Sequence, residues 1–377
     1  MLYNGFIIWE ATVTAMTNKR GKNAQNLKSE NRGLLLQLLA THAQTSRTEL
    51  TQLSGLNKMT VSNITAEFIA QQYAVECSQN ATRNNPIMLE LSPKAPKVIG
   101  LLIRRNRVSA ALCDFHLEIQ SFVTRSFETC TEEELLDTVR QMIDFLSASD
   151  RVLGIGVGAI GPVDIQNGVI LDPPNFHGIR QIRIVEFLEN LYHLPVILNH
   201  HYNCEALAER YYGEGRAYQN YLFVGIEEGL GLGVILNGQL LSDFTGYESD
   251  LGYLCVNCDD RTERTGVPSG FLGAYVSLED RNSTHFREEL DILSFALAGI
   301  CNILYPQAVI IGDTGGILFG EDIAFMKRQI NSRTLSKSYR EIEVLRAHHN
   351  SNFETAGCAI SIIQETFSGN LLFNTLV

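Results

Sequence analysis

NRGLLLQLLATHAQTSRTELTQLSGLNKMTVSNITAEFIAQQYAVE occupies residues 31–76, and its pattern predicts a helix-turn-helix. Ser46, with Glu49 three residues later, forms a capping-box start for a short second helix after an apolar first one. Gly55 and Asn57 supply the turn, because glycine tolerates positive φ and asparagine can cap the next helix. That third helix, residues 58–71, places four residues on one side at helical spacing: Val61, Ile64, Thr65 and Phe68.

The opposite side of the third helix carries small or polar groups that can approach base edges. The turn chemistry and this bare face favour a recognition helix in a major groove, whereas the alternative is a three-helix bundle that only packs against other parts of a protein. We expect Met59, Thr60, Ser62 and Asn63 to contact bases. We expect Arg47, Lys58 and Arg83 to contact phosphates.

Two strand-like segments follow, residues 73–76 and 87–91, around a polar loop that contains Arg83. Their position predicts the wing of a winged helix, although a chance hairpin would have the same pattern. The predicted organisation is an N-terminal arm over residues 1–28, a winged helix-turn-helix DNA-binding domain over 29–92 and a body over 97–377. The arm is either disordered or an upstream extension, if translation begins at Met16.

Charge is divided unevenly along the 377 residues, whose formal net charge is −12. Residues 1–97 hold ten Lys and Arg against six acids, a net charge of +4, so the remainder carries −16. A basic head on an acidic body suits a module that touches phosphates through one end. No apolar run reaches membrane-spanning length and the N-terminus lacks a signal-peptide pattern, so we expect a cytoplasmic protein without a membrane partner.

Beyond residue 97, strand-like and helix-like segments alternate, which predicts α/β layers with a partly parallel sheet. From Asn31 onward the chain resembles the ROK family of repressors and sugar kinases, in its xylose- and N-acetylglucosamine-type repressor branch. Residues 46–62 resemble the family's Ser-Arg-x-x-Leu…Gly-Leu-Ser-x-x-Thr-Val-Ser, and residues 156–164 its strand and Gly-Pro turn. The resemblance implies an actin-like, two-lobed ATPase fold behind a winged helix.

The phosphate loops depart from the family pattern. The family's Asp-x-Gly-Gly-Thr corresponds here to Leu102-Ile103-Arg104-Arg105-Asn106, which keeps neither the glycines nor the acid; only Arg104 or Arg105 could meet a phosphate. The family's Gly-Thr-Gly-x-Gly corresponds to residues 227–233, which begin with Glu227 and Glu228. Two carboxylates would repel a triphosphate, and we interpret the glycines of this segment as a tight strand turn.

The catalytic and metal positions are also altered. Alignment through Asn203 places His201, beside His200, where the family's kinases have their general base. Histidine can act as a base near neutral pH, but without a phosphate loop it would have little to catalyse. The family's four zinc ligands correspond to Tyr253, Arg264, Gly266 and Phe271, and Cys255 and Cys258 are out of register with them. We therefore expect no catalytic residue, metal or cofactor; a sugar kinase with an atypical site is the alternative.

The sugar-contacting positions are partly kept. The resemblance implies that a sugar or sugar derivative would meet Asn175, His200, His201, Asp250 and Tyr253. Carboxylates and amides bind hydroxyl groups, and the histidine pair favours an anionic ligand. The open alternative is an emptied pocket, filled by Tyr253 and the histidine rings.

The sequence thus predicts a sequence-specific DNA-binding transcriptional regulator, a repressor of carbohydrate-related genes, with a catalytically inactive sugar-kinase-like sensor domain. Its expected partners are a double-stranded DNA operator, a sugar or sugar-derivative effector and further copies of itself, as a homodimer or a dimer of dimers. A body that senses a protein partner instead of a sugar is a further alternative.

Overall fold

A computed structural model of the chain describes residues 24–77, 86–148, 150–171, 173, 176–226, 229–242, 249–257, 270–313, 315–338, 340–347 and 352–371. The chain divides into two compact units. We call Met1–Glu90 with Glu365–Val377 the head, and Leu91–Gln364 the body. None of the helices in these ranges combines the length and the apolar character that crossing a membrane requires.

The head is a three-helix unit with a small sheet. Its elements are α1 (Ala24–Thr41), β1 (Thr45–Ser46), α2 (Arg47–Ser54), α3 (Lys58–Ala70), β2 (Ala74–Glu76) and β3 (Met88–Leu91). The three strands form one sheet in the order β1-β3-β2, in which β1 and β3 are antiparallel. The two strands predicted for the wing are thus present, while Arg83, which the sequence places between them, lies outside the described residues.

The predicted boundaries of the head differ from the observed ones at two places. Helix α1 begins at Ala24, inside the predicted arm, and residues 1–23 lie outside the described ranges. The end of the chain also packs in the head, because a Cβ built on Gly33 of α1 would lie 2.0 Å from the carbonyl oxygen of Phe367. A Cβ on Gly369 would lie 2.3 Å from the carbonyl oxygen of Ser29. Two glycines therefore let these backbones touch.

The body contains two five-stranded sheets built on the same plan. The first consists of β4 (Lys97–Arg104), β5 (Arg107–Cys113), β6 (Ile119–Ser126), β7 (Val152–Ala159) and β10 (Val196–His200), in the order β10-β7-β4-β5-β6. The second consists of β11 (Tyr221–Ile226), β12 (Leu230–Leu236), β13 (Gln239–Leu240), β14 (Ala308–Gly312) and β15 (Glu343–Arg346), in the order β13-β12-β11-β14-β15. In each sheet three antiparallel strands come first and two parallel strands follow.

Helices cover these sheets, and each sheet has its own apolar core. The helices of the body are α4 (Glu132–Ser147), α5 (Ile184–Tyr192), α6 (His201–Tyr212), α7 (Phe286–Leu304), α8 (Gly320–Arg333) and α9 (Phe353–Cys358), followed by α10 (Ile360–Phe367). A short antiparallel pair, β8 (Val163–Asp164) and β9 (Val169–Ile170), extends from the first sheet. This duplicated α/β plan confirms the predicted two-lobed, actin-like fold.

Helix α6 packs against strands of both sheets, and its residues from His201 to Glu209 are all buried. Helix α9 lies on β4 and β7 where these strands have glycine. A Cβ on Gly100 would lie 2.2 Å from the carbonyl oxygen of Thr355, and one on Gly156 would lie 2.0 Å from that of Cys358. The glycines therefore allow helix α9 to pack directly on the central strands of the first sheet.

Candidate DNA interface and effector site

The turn between α2 and α3 has the predicted geometry. Ser46 and Glu49 form a reciprocal capping box, with the Glu49 backbone N–H donating to the Ser46 hydroxyl at 3.2 Å. Gly55 adopts a φ of 69°, and its N–H donates to the carbonyl oxygen of Thr51 at 3.1 Å. The side-chain oxygen of Asn57 accepts a hydrogen bond from the Thr60 N–H at 2.8 Å and so caps α3. The capping box thus sets the start of α2, while Gly55 and Asn57 set the end of α2 and the start of α3.

The two sides of α3 are separated as the sequence predicts. Its buried residues are Val61, Ile64, Thr65 and Phe68. The exposed face carries Lys58, Met59, Ser62, Asn63 and Ala66, while Thr60 is half-buried. The side chain of Met59 is 75 % exposed, which is unusual for a large apolar residue. An exposed apolar group beside two small polar ones can meet a thymine methyl group and neighbouring base edges.

Arg47 is engaged within the head. Its Nε donates to the hydroxyl of Thr65 at 3.2 Å, and its Nη2 donates to Glu76 at 2.8 Å. These bonds tie the start of α2 to α3 and β2. Glu67 ties α3 to α1, because its carboxylate pairs with Lys28 at 2.8 Å and Arg32 at 2.6 Å. Part of the positive charge of the head is therefore neutralised by acids within the head. Lys58, at the start of α3, is exposed.

Sequence reasoning missed Thr48, which is exposed in the first turn of α2. Backbone N–H groups at a helix N-terminus point outward and favour a phosphate, and a hydroxyl beside them adds a donor. Its position two residues after the cap Ser46 was the available signal.

In the body, Arg104 is almost completely buried at the end of β4, in the segment that the sequence analysis aligned with the first phosphate loop. Its guanidinium pairs with Glu354 of α9 at 2.6 Å. Glu354 was not predicted, because 250 residues separate it from Arg104 and no local pattern links them. A nucleotide phosphate would have to compete with this carboxylate for the buried guanidinium.

In the segment of residues 227–233, a side chain of the same chain packs against the glycine backbone. Gly225 and Gly231 face each other across β11 and β12. A Cβ on either would lie within 2 Å of the Tyr202 ring, at 1.9 Å for Gly225 and 1.6 Å for Gly231. Among the three glycines of the predicted turn, all of them described, Gly229 alone has positive φ, at 146°. The interpretation as a tight turn therefore holds for Gly229 but is wrong for Gly231, which makes room for the aromatic ring.

His200 and His201 are both buried, with ring centroids 4.5 Å apart. Burial, with a contribution from the positive charge of Arg104, lowers the pKa of His200 from 6.5 to about 3. The pKa of His201 is also well below 6.5, because of burial first and then of His200 and Arg104. Both rings are neutral at pH 7, so the pair does not supply the positive charge that we expected to favour an anionic ligand.

The other predicted ligand residues are placed differently. Asp250 is exposed and accepts a hydrogen bond from the Gly252 N–H at 2.9 Å. Tyr253 is 49 % exposed, and its ring lies 5.5 Å from that of Phe271 rather than filling a buried pocket. Asn175 lies outside the described residues. The structure thus buries the histidine pair beside Arg104 and leaves Asp250 and Tyr253 at the surface.

Metal ligands do not cluster in the described part of the chain, where no three His, Cys, Asp or Glu residues are placed to hold an ion. Cys255 is an exposed free thiol, and Cys258 lies outside the described ranges. Two of the positions that the sequence analysis aligned with the zinc ligands, Tyr253 and Phe271, instead hold aromatic rings that are tilted at 56° to each other.

Comparison with known proteins places this geometry in a family. Residues 98–271 match the model of the ROK family. The xylose repressor of Caldicellulosiruptor bescii is 23 % identical, over 91 % of this chain and 97 % of that protein. A solved ROK family transcriptional regulator, a homologue of the E. coli MLC protein, has a TM-score of 0.76 at 19 % identity and covers 92 % of this chain and 98 % of its own.

A ROK glucokinase from Streptomyces griseus, solved with glucose and AMPPNP, has a TM-score of 0.59 at 19 % identity. It covers 70 % of this chain and 98 % of its own, so the likeness to the kinase shows the fold of the body. The likeness to the regulator extends over more of the chain than the likeness to the kinase does. Residues 98–271 of this chain are thus similar to the ROK family domain.

Proposed function

We propose that this protein is a sequence-specific DNA-binding repressor of carbohydrate-related genes whose body has lost kinase chemistry. The observation that carries the proposal is the exposed face of α3, on which Met59, Ser62 and Asn63 follow a capped turn. Asn63 suits a bidentate contact with adenine, and Met59 suits the methyl group of thymine. Lys58 on this face and Thr48, exposed in the first turn of α2, would hold phosphates, while Arg47 positions α2 and α3 through its internal bonds.

Two features of the body support a non-catalytic role. The Arg104–Glu354 pair lies in the region that corresponds to the first phosphate loop, and the Tyr202 ring packs on Gly231 of the segment that corresponds to the second. A triphosphate would have to compete with the Glu354 carboxylate for Arg104 and could not approach the backbone at Gly231. The sugar-kinase alternative predicts ATP consumption that depends on a sugar and is lost on His201→Ala; our proposal predicts no such consumption by the purified chain.

We infer that the body acts as a dimerisation and sensor unit. Two heads would then meet two half-sites about one or two helical turns apart, as symmetric regulators do. The names of the repressor relatives support a sugar or sugar derivative as effector, and the neutral state of His200 and His201 favours a neutral sugar over a sugar acid. An effector would act by binding one arrangement of the protein better than another.

The test compares single variants on DNA from upstream of the protein's own gene, with fluorescence anisotropy. Asn63→Ala should weaken binding to the specific site by about 1–3 kcal/mol and relax the preference at one base pair. Asn282→Ala, an exposed asparagine of the body, is the matched control and should bind as the parent does. Equal loss of affinity for specific and scrambled DNA in Asn63→Ala would contradict the assignment of the reading face.

The effector is tested on the same complex with a panel of neutral sugars, sugar phosphates and sugar acids. Release of the DNA by a neutral sugar alone would support the sensor assignment. Release by none of the compounds would instead favour the emptied pocket and a protein partner as the signal.

A further inference from the structure

The exposed side of α3 has a central stripe that lies directly opposite its buried side. Successive residues of an α-helix are turned by about 100° around the axis. At this spacing Met59, Asn63, Ala66 and Ala70 all fall within about 30° of the direction opposite to the buried residues. All four are exposed, and the Met59 side chain is 75 % exposed. We call these four residues the reading stripe.

The two charged residues of α3, Lys58 and Glu67, lie at the sides of the helix rather than on the reading stripe. Lys58 is turned by about 110° from the middle of the stripe, and Glu67 by about 70°. The carboxylate of Glu67 is also held by α1, through Lys28 at 2.8 Å and Arg32 at 2.6 Å. The reading stripe, which the structure describes in full, therefore carries no charged side chain.

A stripe without charge restricts the bases that it can recognise. In the major groove, guanine is read chiefly by Arg or Lys, and the amino group of cytosine by Asp or Glu. The amide of Asn63 can instead donate to N7 of adenine and accept from its N6 amino group. Met59 and Ala66 can pack on the C5 methyl group of thymine. The side chains of the stripe thus match the groups that A·T pairs present.

The length of the stripe sets the number of base pairs within its reach. Met59 and Ala66 are seven residues apart, which corresponds to about 10 Å along the helix axis. Base pairs are stacked about 3.4 Å apart. When α3 lies along the groove, these two residues are about three base-pair steps apart, and Asn63 lies between them. The stripe therefore spans about four consecutive base pairs.

We propose that each half-site bound by this protein has a core of about four A·T pairs, read in the major groove through thymine methyl groups and one adenine. This proposal rests on the proposed function, because it assigns a base composition to the DNA that the head would bind. A G·C pair in the core would remove a methyl group. Guanine would also present two acceptors, so that the carbonyl oxygen of Asn63 would face an acceptor instead of a donor.

Selection from a pool of random-sequence DNA with the full chain tests the base composition. The parent should enrich half-sites that contain three or four adjacent A·T pairs, and Asn282→Ala, an exposed asparagine of the body, should enrich the same sites. Half-sites with an invariant G·C pair in the core would overturn the proposal and leave the proposed function intact. Enrichment of no sequence at all would overturn both.

Base analogues placed singly in the selected site test which atoms are read. Uracil lacks the methyl group of thymine, and it should weaken binding of the parent by about 4-fold at a contacted position. 7-Deazaadenine lacks N7, and it should weaken binding by about 10-fold at one position. Met59→Ala should lose a response to uracil and keep the response to 7-deazaadenine, while Asn63→Ala should do the reverse.

These two variants control for each other, because an unfolded head would abolish both responses together. Responses in Met59→Ala and Asn63→Ala that equal those of the parent would overturn the assignment of atoms. Inosine–cytosine pairs separate base reading from groove shape, since they resemble A·T in the minor groove but present the O6 of guanine in the major groove. The parent should bind a core of such pairs about 10-fold or more weakly than the A·T core. Equal affinity for the two cores would show that the shape of the minor groove is read, and would overturn the proposal.

Discussion

The ring of Tyr202 covers Gly231, and a Cβ at that glycine would lie 1.6 Å from the ring. Tyr202 belongs to α6, the helix that packs on strands of both sheets of the body. Gly231 of β12, which the sequence analysis interpreted as part of a tight turn, therefore serves the packing of α6. The packing of the body depends on this contact.

Gly231→Ala should destabilise the body, because the added methyl group has to displace an aromatic ring that is itself buried. Overpacking of this kind costs about 1–3 kcal/mol in the free energy of unfolding. Gly320→Ala is the control, since a Cβ there would meet nothing within 4 Å. Thermal unfolding of both variants measures the difference. Equal stability of the two would show that the ring moves freely and that the contact does not matter.

Glu354→Leu should be more damaging than the double variant Arg104→Met with Glu354→Leu. The single change leaves the buried guanidinium without its carboxylate, which costs about 3–5 kcal/mol, whereas removal of both charges is close to neutral in many buried pairs. Denaturant unfolding of the parent, both single variants and the double variant gives the coupling energy. If the stability losses of the two single variants add up to the loss of the double variant, the Arg104–Glu354 pair at 2.6 Å does not hold α9 on β4.

Stability of the body should fall as the pH falls from 7 to 5. The pKa of His200 is about 3 in the folded chain, whereas the unfolded chain has the ordinary value of 6.5. Between pH 7 and 5 the unfolded chain therefore binds more protons than the folded chain. The contribution of His200 is therefore fully present above pH 6.5 and lost below it, by about 2 kcal/mol at pH 5. His201 shifts in the same direction.

The slope of unfolding free energy against pH is the measurement, with His200→Gln as the comparison. That variant should show a shallower slope between pH 7 and 5, whatever its stability at pH 7. An unchanged slope would contradict the burial of an uncharged imidazole at this position.

Lys58→Ala and Arg47→Ala should differ in their effects on DNA binding. Lys58 is exposed and would contact phosphate, so its loss should weaken binding to all sequences and reduce the salt slope by about 1. Arg47 is bonded to Thr65 and Glu76, so its loss should lower the stability of the head and leave the salt slope nearly unchanged. A similar drop in salt slope for both variants would show that Arg47 contacts phosphate as Lys58 does.

The sequence predicted those features of the fold that depend on neighbours along the chain. The buried side of α3, the Ser46–Glu49 capping box and the left-handed Gly55 all follow from local spacing, and the structure confirms them. The alternation of strands and helices likewise predicted the α/β body.

Features that depend on distant residues were beyond prediction from one sequence. Glu354 pairs with Arg104 although 250 residues separate them in the sequence, and Glu76 pairs with Arg47 across 29 residues. Gly33 gives no local sign that the end of the chain will pack on it. Burial also changes chemistry, since His200 and His201 read as a titratable pair in the sequence but are neutral in the folded body.

The most direct test of the account is the anisotropy of labelled DNA from upstream of the protein's own gene, titrated with the full chain at several salt concentrations. The account predicts saturable binding that weakens steeply with salt and that exceeds binding to scrambled DNA of the same length by about a thousandfold or more. Equal affinity for the two DNAs at every salt concentration would contradict it, because the exposed face of α3 would then read no sequence.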